Sequence, residues 1–289
     1  MAGAYDDRDG KIWMDGTLVE WRDAKVHILT HALHDASSVF EGERCHNGRI
    51  FKGHEHSLRL LRSGELLDMA IPYTADEIDA AKDAVLKANG WTDAYVRVIA
   101  WRGAGEDMGV AASKNPVRMA VTAWQWGNYY GDAKMKGAIL DVAKWKRPSP
   151  ETAPSQAKAA GLYMICTMAK HAAMAKGCSD AMMFDYRGYV AEATGANIFF
   201  VKDGEVHTPL ADCFLNGLTR QTVIGMLKDR QIKVHERHIM PDELEGFQQC
   251  WLTGTAAEVT PVGQIGDHSF EVGEMTRMIA TEYEKLVRA

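Results

Sequence analysis

No apolar run among the 289 residues approaches the length that crosses a bilayer. Basic residues are not in excess. Lys and Arg number 33 against 39 Asp and Glu, the formal charge is −6, and no basic stripe is present, which argues against a nucleic-acid partner. Cysteine is scarce. The five thiols, at positions 45, 166, 178, 213 and 250, are odd in number and form no Cys-x-x-Cys pair. That excludes a disulfide framework and a zinc site of paired cysteines, and it fits reduced thiols in a cytoplasm. Repeats and low-complexity tracts are missing. So are several catalytic signatures. Arg102 to Gly109 is glycine-rich but matches neither the dinucleotide nor the P-loop pattern, and reads as a loop. No Gly-x-Ser-x-Gly elbow occurs. His27, His31 and His34 recur at helical spacing without a paired carboxylate motif and read as structural histidines. The first ten residues are polar and acidic, unlike a secretion signal.

A chain of this length suits two domains or one large one. The first stretch is β in pattern, with hairpin turns expected at Asp15-Gly16 and Asn47-Gly48. Helices are expected over 54–70, with Leu58, Leu61, Leu66 and Leu67 on its apolar side, and over 75–89, opened by Thr74 and closed by Gly90. Strands follow at 95–101 and 117–124. A second half begins with a strand at 137–143. It continues with a helix over 163–176, hairpins over 181–191 and 197–207, helices over 219–229 and 241–246, a strand at 250–254 and a last helix from Val272. The boundaries drawn are a small N-terminal domain 1–124, a linker 125–134 and a larger domain 135–289 that carries Lys158. Strands outnumber what a βαβ alternation gives, so the class is α+β.

Lys158 is the most informative residue. From Thr152 to Ala169 it is the only charged side chain, and alanines and a glycine flank it. Small apolar neighbours thin the water around an amine and disfavour its ammonium form, the condition for attack on a carbonyl. A lysine that snorkels to the surface is the plainer reading of that segment alone. Glu192 ends an apolar strand beside small residues, where a solvated strand-end charge is the ordinary reading. Gly217 and Thr219 precede a helix whose first N–H groups could take an anion or simply be capped by Thr219. Leu252 to Val259 is a strand running into small residues and hydroxyls. Arg59 could hold a phosphate bidentately or lie on the surface; periodicity does not settle its face.

Taken in order, the runs Ala157-Lys-Ala-Ala-Gly-Leu-Tyr163, Glu192-Ala-Thr-Gly-Ala-Asn197-Ile-Phe, Val201-Lys-Asp-Gly, Thr208-Pro, Leu215-Asn-Gly-Leu-Thr-Arg220 and Gly254-Thr-Ala-Ala-Glu-Val-Thr-Pro261 resemble class IV (fold type IV) pyridoxal-phosphate aminotransferases over almost the whole chain. Within that class the branched-chain amino acid aminotransferases are most similar, through His31-Ala-Leu-His34, Val39-Phe-Glu-Gly42, His56-Ser-Leu-Arg59-Leu, Ala94-Tyr-Val-Arg97, Met108-Gly-Val110 and Trp126-Gly-Asn-Tyr129.

The resemblance implies a two-domain fold like that of D-amino acid aminotransferases, with the active site between the domains, and pyridoxal 5′-phosphate as cofactor. It implies that Lys158 carries the cofactor as a Schiff base and then moves the proton at the substrate α-carbon. Glu192 would face the pyridine nitrogen, and Tyr163 the phenolic oxygen. Arg59, the backbone of Leu218 and Thr219, and Thr255 would hold the phosphate. Asp35, Phe40, Tyr95, Arg97, Trp126, Tyr129 and the Thr255-Ala256-Ala257 turn would line the pocket for a small amino acid or 2-oxo acid. A cytoplasmic homodimer or larger homo-oligomer is also implied, with no metal and no membrane or nucleic-acid partner. Two positions depart from the branched-chain pattern. Asp35 stands where tyrosine is usual and Ala196 where glutamate is usual, and an aspartate at the first is more like D-amino acid aminotransferases and (R)-amine transaminases. A lyase of the aminodeoxychorismate type and a non-catalytic binding relative are the remaining alternatives.

Overall fold

The computed structural model describes residues 4–126 and 136–289. Contacts divide the chain into two compact units: Met1–Trp126 with Ala157–Gly161, and Gly127–Gln156 with Leu162–Ala289. The expected linker therefore lies, from residue 127 on, outside the described residues. Chain order groups Lys158 with the second half of the sequence. Its contacts group it with the first unit, because Ala159 bridges to Val39 on a strand there.

In the first unit, strands β1 (Lys11–Met14), β2 (Thr17–Glu20), β3 (Ser38–His46), β4 (Arg49–Ile50), β5 (Ala94–Arg102) and β6 (Val117–Trp124) form one antiparallel sheet in the order β2-β1-β6-β5-β3-β4. The Asp15-Gly16 and Asn47-Gly48 pairs close two-residue hairpins with positive φ at both positions, as the sequence predicts. Helices α1 (His31–Asp35), α2 (Gly53–Glu65) and α3 (Ala75–Asn89) complete the unit. Thr74 and Glu77 form a capping box on α3, and Gly90 ends it in the left-handed region.

Helix α2 stops earlier than the sequence suggests. The chain folds back at Gly64, where an added Cβ would lie 2.9 Å from the Met69 carbonyl. Its buried face also differs: Leu58 is half exposed, and the buried residues are His56, Ser57, Leu60, Ser63 and Gly64. A largely polar face points inward because β3 offers it two buried glutamates, Glu41 and Glu43.

The second unit contains β7 (Ala138–Val142), β8 (Asp180–Phe184), β9 (Val190–Ala193), β10 (Asn197–Lys202), β11 (Glu205–Pro209), β12 (Val234–Arg237), β13 (Gln249–Gly254), β14 (Glu258–Ile265) and β15 (His268–Ser269). The order is β12-β11-β10-β13-β14-β7-β8-β9, and β9 returns to β10 through the pair Glu192↔Asn197. Six strands thus close into a ring filled by Leu140, Met182, Ile198, Phe200, Leu252 and Val262. Helices α4 (Tyr163–Ala175), α5 (Leu218–Asp229) and α6 (Glu274–Arg288) accompany it. Strand β14 escapes sequence reading because Pro261 and Gly263 interrupt its pattern.

Candidate active site

Lys158 is fixed by its backbone. Its N–H donates to Ser63 Oγ on α2 (3.0 Å), and its carbonyl accepts from the Phe40 N–H on β3 (3.1 Å). The amine lies 5.1 Å from the centre of the Phe40 ring. The Arg97 guanidinium approaches the same ring at 4.7 Å and donates to Tyr95 Oη at 3.2 Å. Tyr95 packs in turn on Trp126, ring centres 4.8 Å apart. Tyr95 and Arg97 share a face of β5 because side chains alternate along a strand. Gly42, opposite Arg97 in the register, makes room for them: an added Cβ would lie 2.8 Å from Tyr95 Cζ and overlap its hydroxyl.

Asp35 is the last residue of α1 and pairs with the buried His31 (3.3 Å). The left-handed Ala36 turns the chain directly after it. Gly161 passes close by, since a Cβ there would be 3.2 Å from Ala36 Cβ. Arg59 is not a surface arginine. Its Nε and Nη2 donate to the two oxygens of Glu41, each at 2.7 Å. Tyr129 lies outside the described residues.

The second unit gathers a different set. Glu192 is buried at the ring closure, not solvated at a strand end. Asn197 Nδ2 donates to its Oε2 at 3.1 Å, and Arg147 Nε stands 3.3 Å from its Oε1. Burial works against the Arg147 cation, but Glu192, together with Cys166 and Tyr163, outweighs it and keeps the guanidinium charged. The Cys166 thiol, 3.3 Å from Arg147 Nη1, is pushed up by burial to about 11. Tyr163 opens α4 one turn before Cys166.

Asn197 also ties this cluster to α5. Its Oδ1 accepts from the N–H of Gly217, the N-cap of that helix. The N-cap Gly217 has no side chain with which to cap α5, and Leu218 and Thr219 begin the helix with their N–H groups at its positive end. Thr219 does not cap its own helix, contrary to the simpler expectation; its hydroxyl meets Tyr283 Oη at 3.4 Å. Thr255, Ala256 and Ala257 form the turn between β13 and β14, closed by Gly254↔Glu258, with Glu258 in the left-handed region. Thr260 Oγ1 braces that turn by donating to the Ala257 carbonyl at 2.6 Å.

Sequence reading missed Arg147, Glu41 and Ser63, and gave Asn197 no role. Arg147 follows Lys144 and Lys146 and precedes a Pro-rich run, and nothing in that segment distinguishes it from its basic neighbours.

The sequence profile of the family "Amino-transferase class IV" matches residues 38–265. The chain belongs to that family. A branched-chain-amino-acid aminotransferase of Pseudomonas aeruginosa is 38% identical over 289 residues, covering 97% of this chain and 94% of that protein. The crystal structure of a branched-chain aminotransferase from Thermoproteus uzoniensis with norvaline superimposes with a TM-score of 0.93 at 33% identity, over 97% and 95% of the two chains. A second branched-chain amino acid aminotransferase, from T.th. and solved with pyridoxamine 5′-phosphate, gives 0.93 at 37%, over 98% and 96%. The class IV aminotransferase described here shares their α+β, two-domain fold. Among its described residues no helix is long and apolar enough to cross a membrane.

Proposed function

We propose that this class IV aminotransferase moves amino groups between the branched-chain L-amino acids leucine, isoleucine and valine and 2-oxoglutarate, with pyridoxal 5′-phosphate as cofactor. The names of its relatives and their complexes with norvaline and pyridoxamine 5′-phosphate support this. The observation that carries it is the clamping of Lys158, held at its N–H and its carbonyl while its amine rests against an aromatic ring.

The groups present suit each part of such a cofactor: an amine for an aldehyde, a phenol donor at Tyr163, a buried carboxylate acceptor at Glu192 for a ring N–H, and guanidinium and helix N-terminal amide donors for a phosphate. When bound, the cofactor supplies the electron sink that acidifies the amino acid Cα–H. Lys158 Nζ would hold the cofactor covalently and, when free, would carry the proton removed from the substrate Cα. Glu192, kept in place by Asn197 and Arg147, holds the ring-nitrogen proton. Tyr163 donates to the phenolic oxygen. Arg59, the Leu218 and Thr219 amides and Thr255 bind phosphate oxygens. Phe40 and Trp126 offer apolar surface to the substrate side chain, and Ala256 and Ala257 keep their turn small enough to admit it. Arg97 and the Tyr95 hydroxyl take the carboxylate of the acidic partner substrate.

The domain boundaries 1–124 and 135–289 with their linker, a homodimer and a cytoplasmic setting belong to the same reading. The dimer is supported by apolar side chains exposed in the first unit, among them Ile28 and Val110 at 70% and 89%. The setting is supported by five unpaired cysteines.

Mixing the loaded enzyme with L-leucine tests the reaction. Rapid loss of the bound cofactor's visible absorbance, abolished in Lys158→Ala, is expected. Asp35 favours a second reading, a D-amino acid or (R)-amine donor. Decay with D-alanine or an (R)-arylamine and none with L-leucine would select it.

A further inference from the structure

We propose that Glu41 is a positioning residue that orients the Arg59 guanidinium for the cofactor phosphate, on the same helix that fixes Lys158. The proposal rests on the reading of Arg59 as a phosphate ligand. Glu41 lies on β3 with no exposed surface. Arg59 donates to both of its oxygens at 2.7 Å, a fork that sets the plane of the guanidinium and not only its place. His56 Nδ1 lies 2.7 Å from Glu41 Oε2. Burial would raise the Glu41 carboxyl, but Arg59 and then His56 outweigh it and hold it well below the ordinary range. Glu41 is therefore ionised and only accepts, so His56 Nδ1 carries the proton in that bond. The carboxylate is braced from one side and braces the arginine on the other.

The helix gives this pair its meaning. Ser63, which receives the Lys158 N–H, lies four residues beyond Arg59 on α2, and so on the same face. Phe40, which binds the Lys158 carbonyl, immediately precedes Glu41 on β3. Two neighbouring residues of β3 and two of α2 thus set the amine and the guanidinium in one frame. A ligand that bonds to the amine and presents an anion to the guanidinium has its span measured by that frame.

The test compares pyridoxal 5′-phosphate with pyridoxal, which lacks the phosphate, on the full-length chain. Glu41→Gln keeps the shape and removes the charge. It is expected to raise the dissociation constant for pyridoxal 5′-phosphate about 10–100-fold, as loss of an orienting outer partner does elsewhere, and to leave that for pyridoxal within about twofold. In an Arg59→Met background it is expected to add nothing. Equal weakening of both ligands would mean general distortion and overturn the proposal, as would unchanged affinity for both. If Arg59→Met itself leaves pyridoxal 5′-phosphate binding intact, the reading of Arg59 fails instead. Arg59→Lys serves where Glu41→Gln does not fold. It keeps a cation beside Glu41 but loses the fork, and about tenfold weaker phosphate-dependent binding is expected. Full affinity in Arg59→Lys would overturn the proposal.

Discussion

Each unit buries a glutamate against an arginine, and the two pairs are built differently. In the first, Glu41 has no exposed surface and accepts from Arg59 twice, with His56 as a third partner, every contact at 2.7 Å. In the second, Glu192 keeps 8% of its surface, Arg147 stands at 3.3 Å and Asn197 at 3.1 Å. Tight, multiply bonded pairs fix geometry. A carboxylate held at longer range by a charge and an amide stays oriented while its interaction energy is less committed. The difference matches the two roles proposed: Glu41 orienting Arg59, and Glu192 touching the ligand itself.

Cutting the arginine from each pair should expose that difference most strongly. Arg59→Met leaves a carboxylate with no access to solvent and only His56 beside it, and about 3–5 kcal/mol of destabilisation is expected. Arg147→Met should cost less, because Glu192 keeps Asn197 and some access to solvent. Urea unfolding of both variants without cofactor reads the ranking. An equal or larger loss at Arg147 would erase the distinction drawn from the distances.

The function of the looser pair is probed by Glu192→Gln. The amide keeps the size and the Asn197 contact but cannot serve as an anion for a ring N–H. A fall in kcat of about 10²–10³-fold is expected, in the range seen when one electrostatic stabiliser is removed from an active site. Stability should change little. Near-normal turnover in a cofactor-loaded Glu192→Gln protein would deny the residue its proposed role.

Gly42→Ala moves to the pocket of the first unit. Its added methyl would overlap the Tyr95 hydroxyl, so Tyr95 must swing away and release Arg97. Overpacking of this kind costs about 1–3 kcal/mol. The expected kinetic signature is a raised KM for 2-oxoglutarate that exceeds the change for leucine, since Arg97 and Tyr95 are read as the carboxylate contacts. Equal effects on both substrates would detach Tyr95 from that role.

What the sequence discloses obeys the same division. The hairpins at Asp15-Gly16, Asn47-Gly48 and Asp203-Gly204 are legible because two residues with positive φ are encoded locally. Lys158 is legible because a lone charge among alanines breaks local pattern. Glu192 is not legible by itself. Its burial comes from a ring closure with Asn197 and from Arg147, 45 positions upstream, and neither is visible in its own strand. Helix α2 misleads for a related reason. Its buried face is largely polar, with His56 and Arg59 bonded to the buried Glu41 on β3, so hydrophobic spacing selects the wrong side. Local rules fail where a strand or helix is shaped around charge.

The last contrast lies within the first unit, between two glutamates on one face of β3. Glu41 and Glu43 are both fully buried, and burial raises both. Arg59 and His56 reverse that at Glu41. At Glu43, Lys82 lies 2.9 Å away yet does not, and the carboxyl is pushed up from 4.5 to about 8, with Glu41 and Asp79 adding to the shift. The signs then oppose. Glu41, depressed in the folded protein, stabilises above about pH 4.5, and that contribution is lost as the pH falls below it. Glu43 binds a proton in the folded state that the unfolded chain releases near 4.5. Its contribution is complete below that pH and declines as the pH rises towards 8, by at most about 1.4 kcal/mol per unit. Denaturation midpoints across pH 5 to 8 should therefore fall in the native protein and in Glu41→Gln, and flatten in Glu43→Gln. A native profile as flat as that of Glu43→Gln would mean that Lys82 keeps Glu43 ionised, and that the two carboxylates of β3 are held alike.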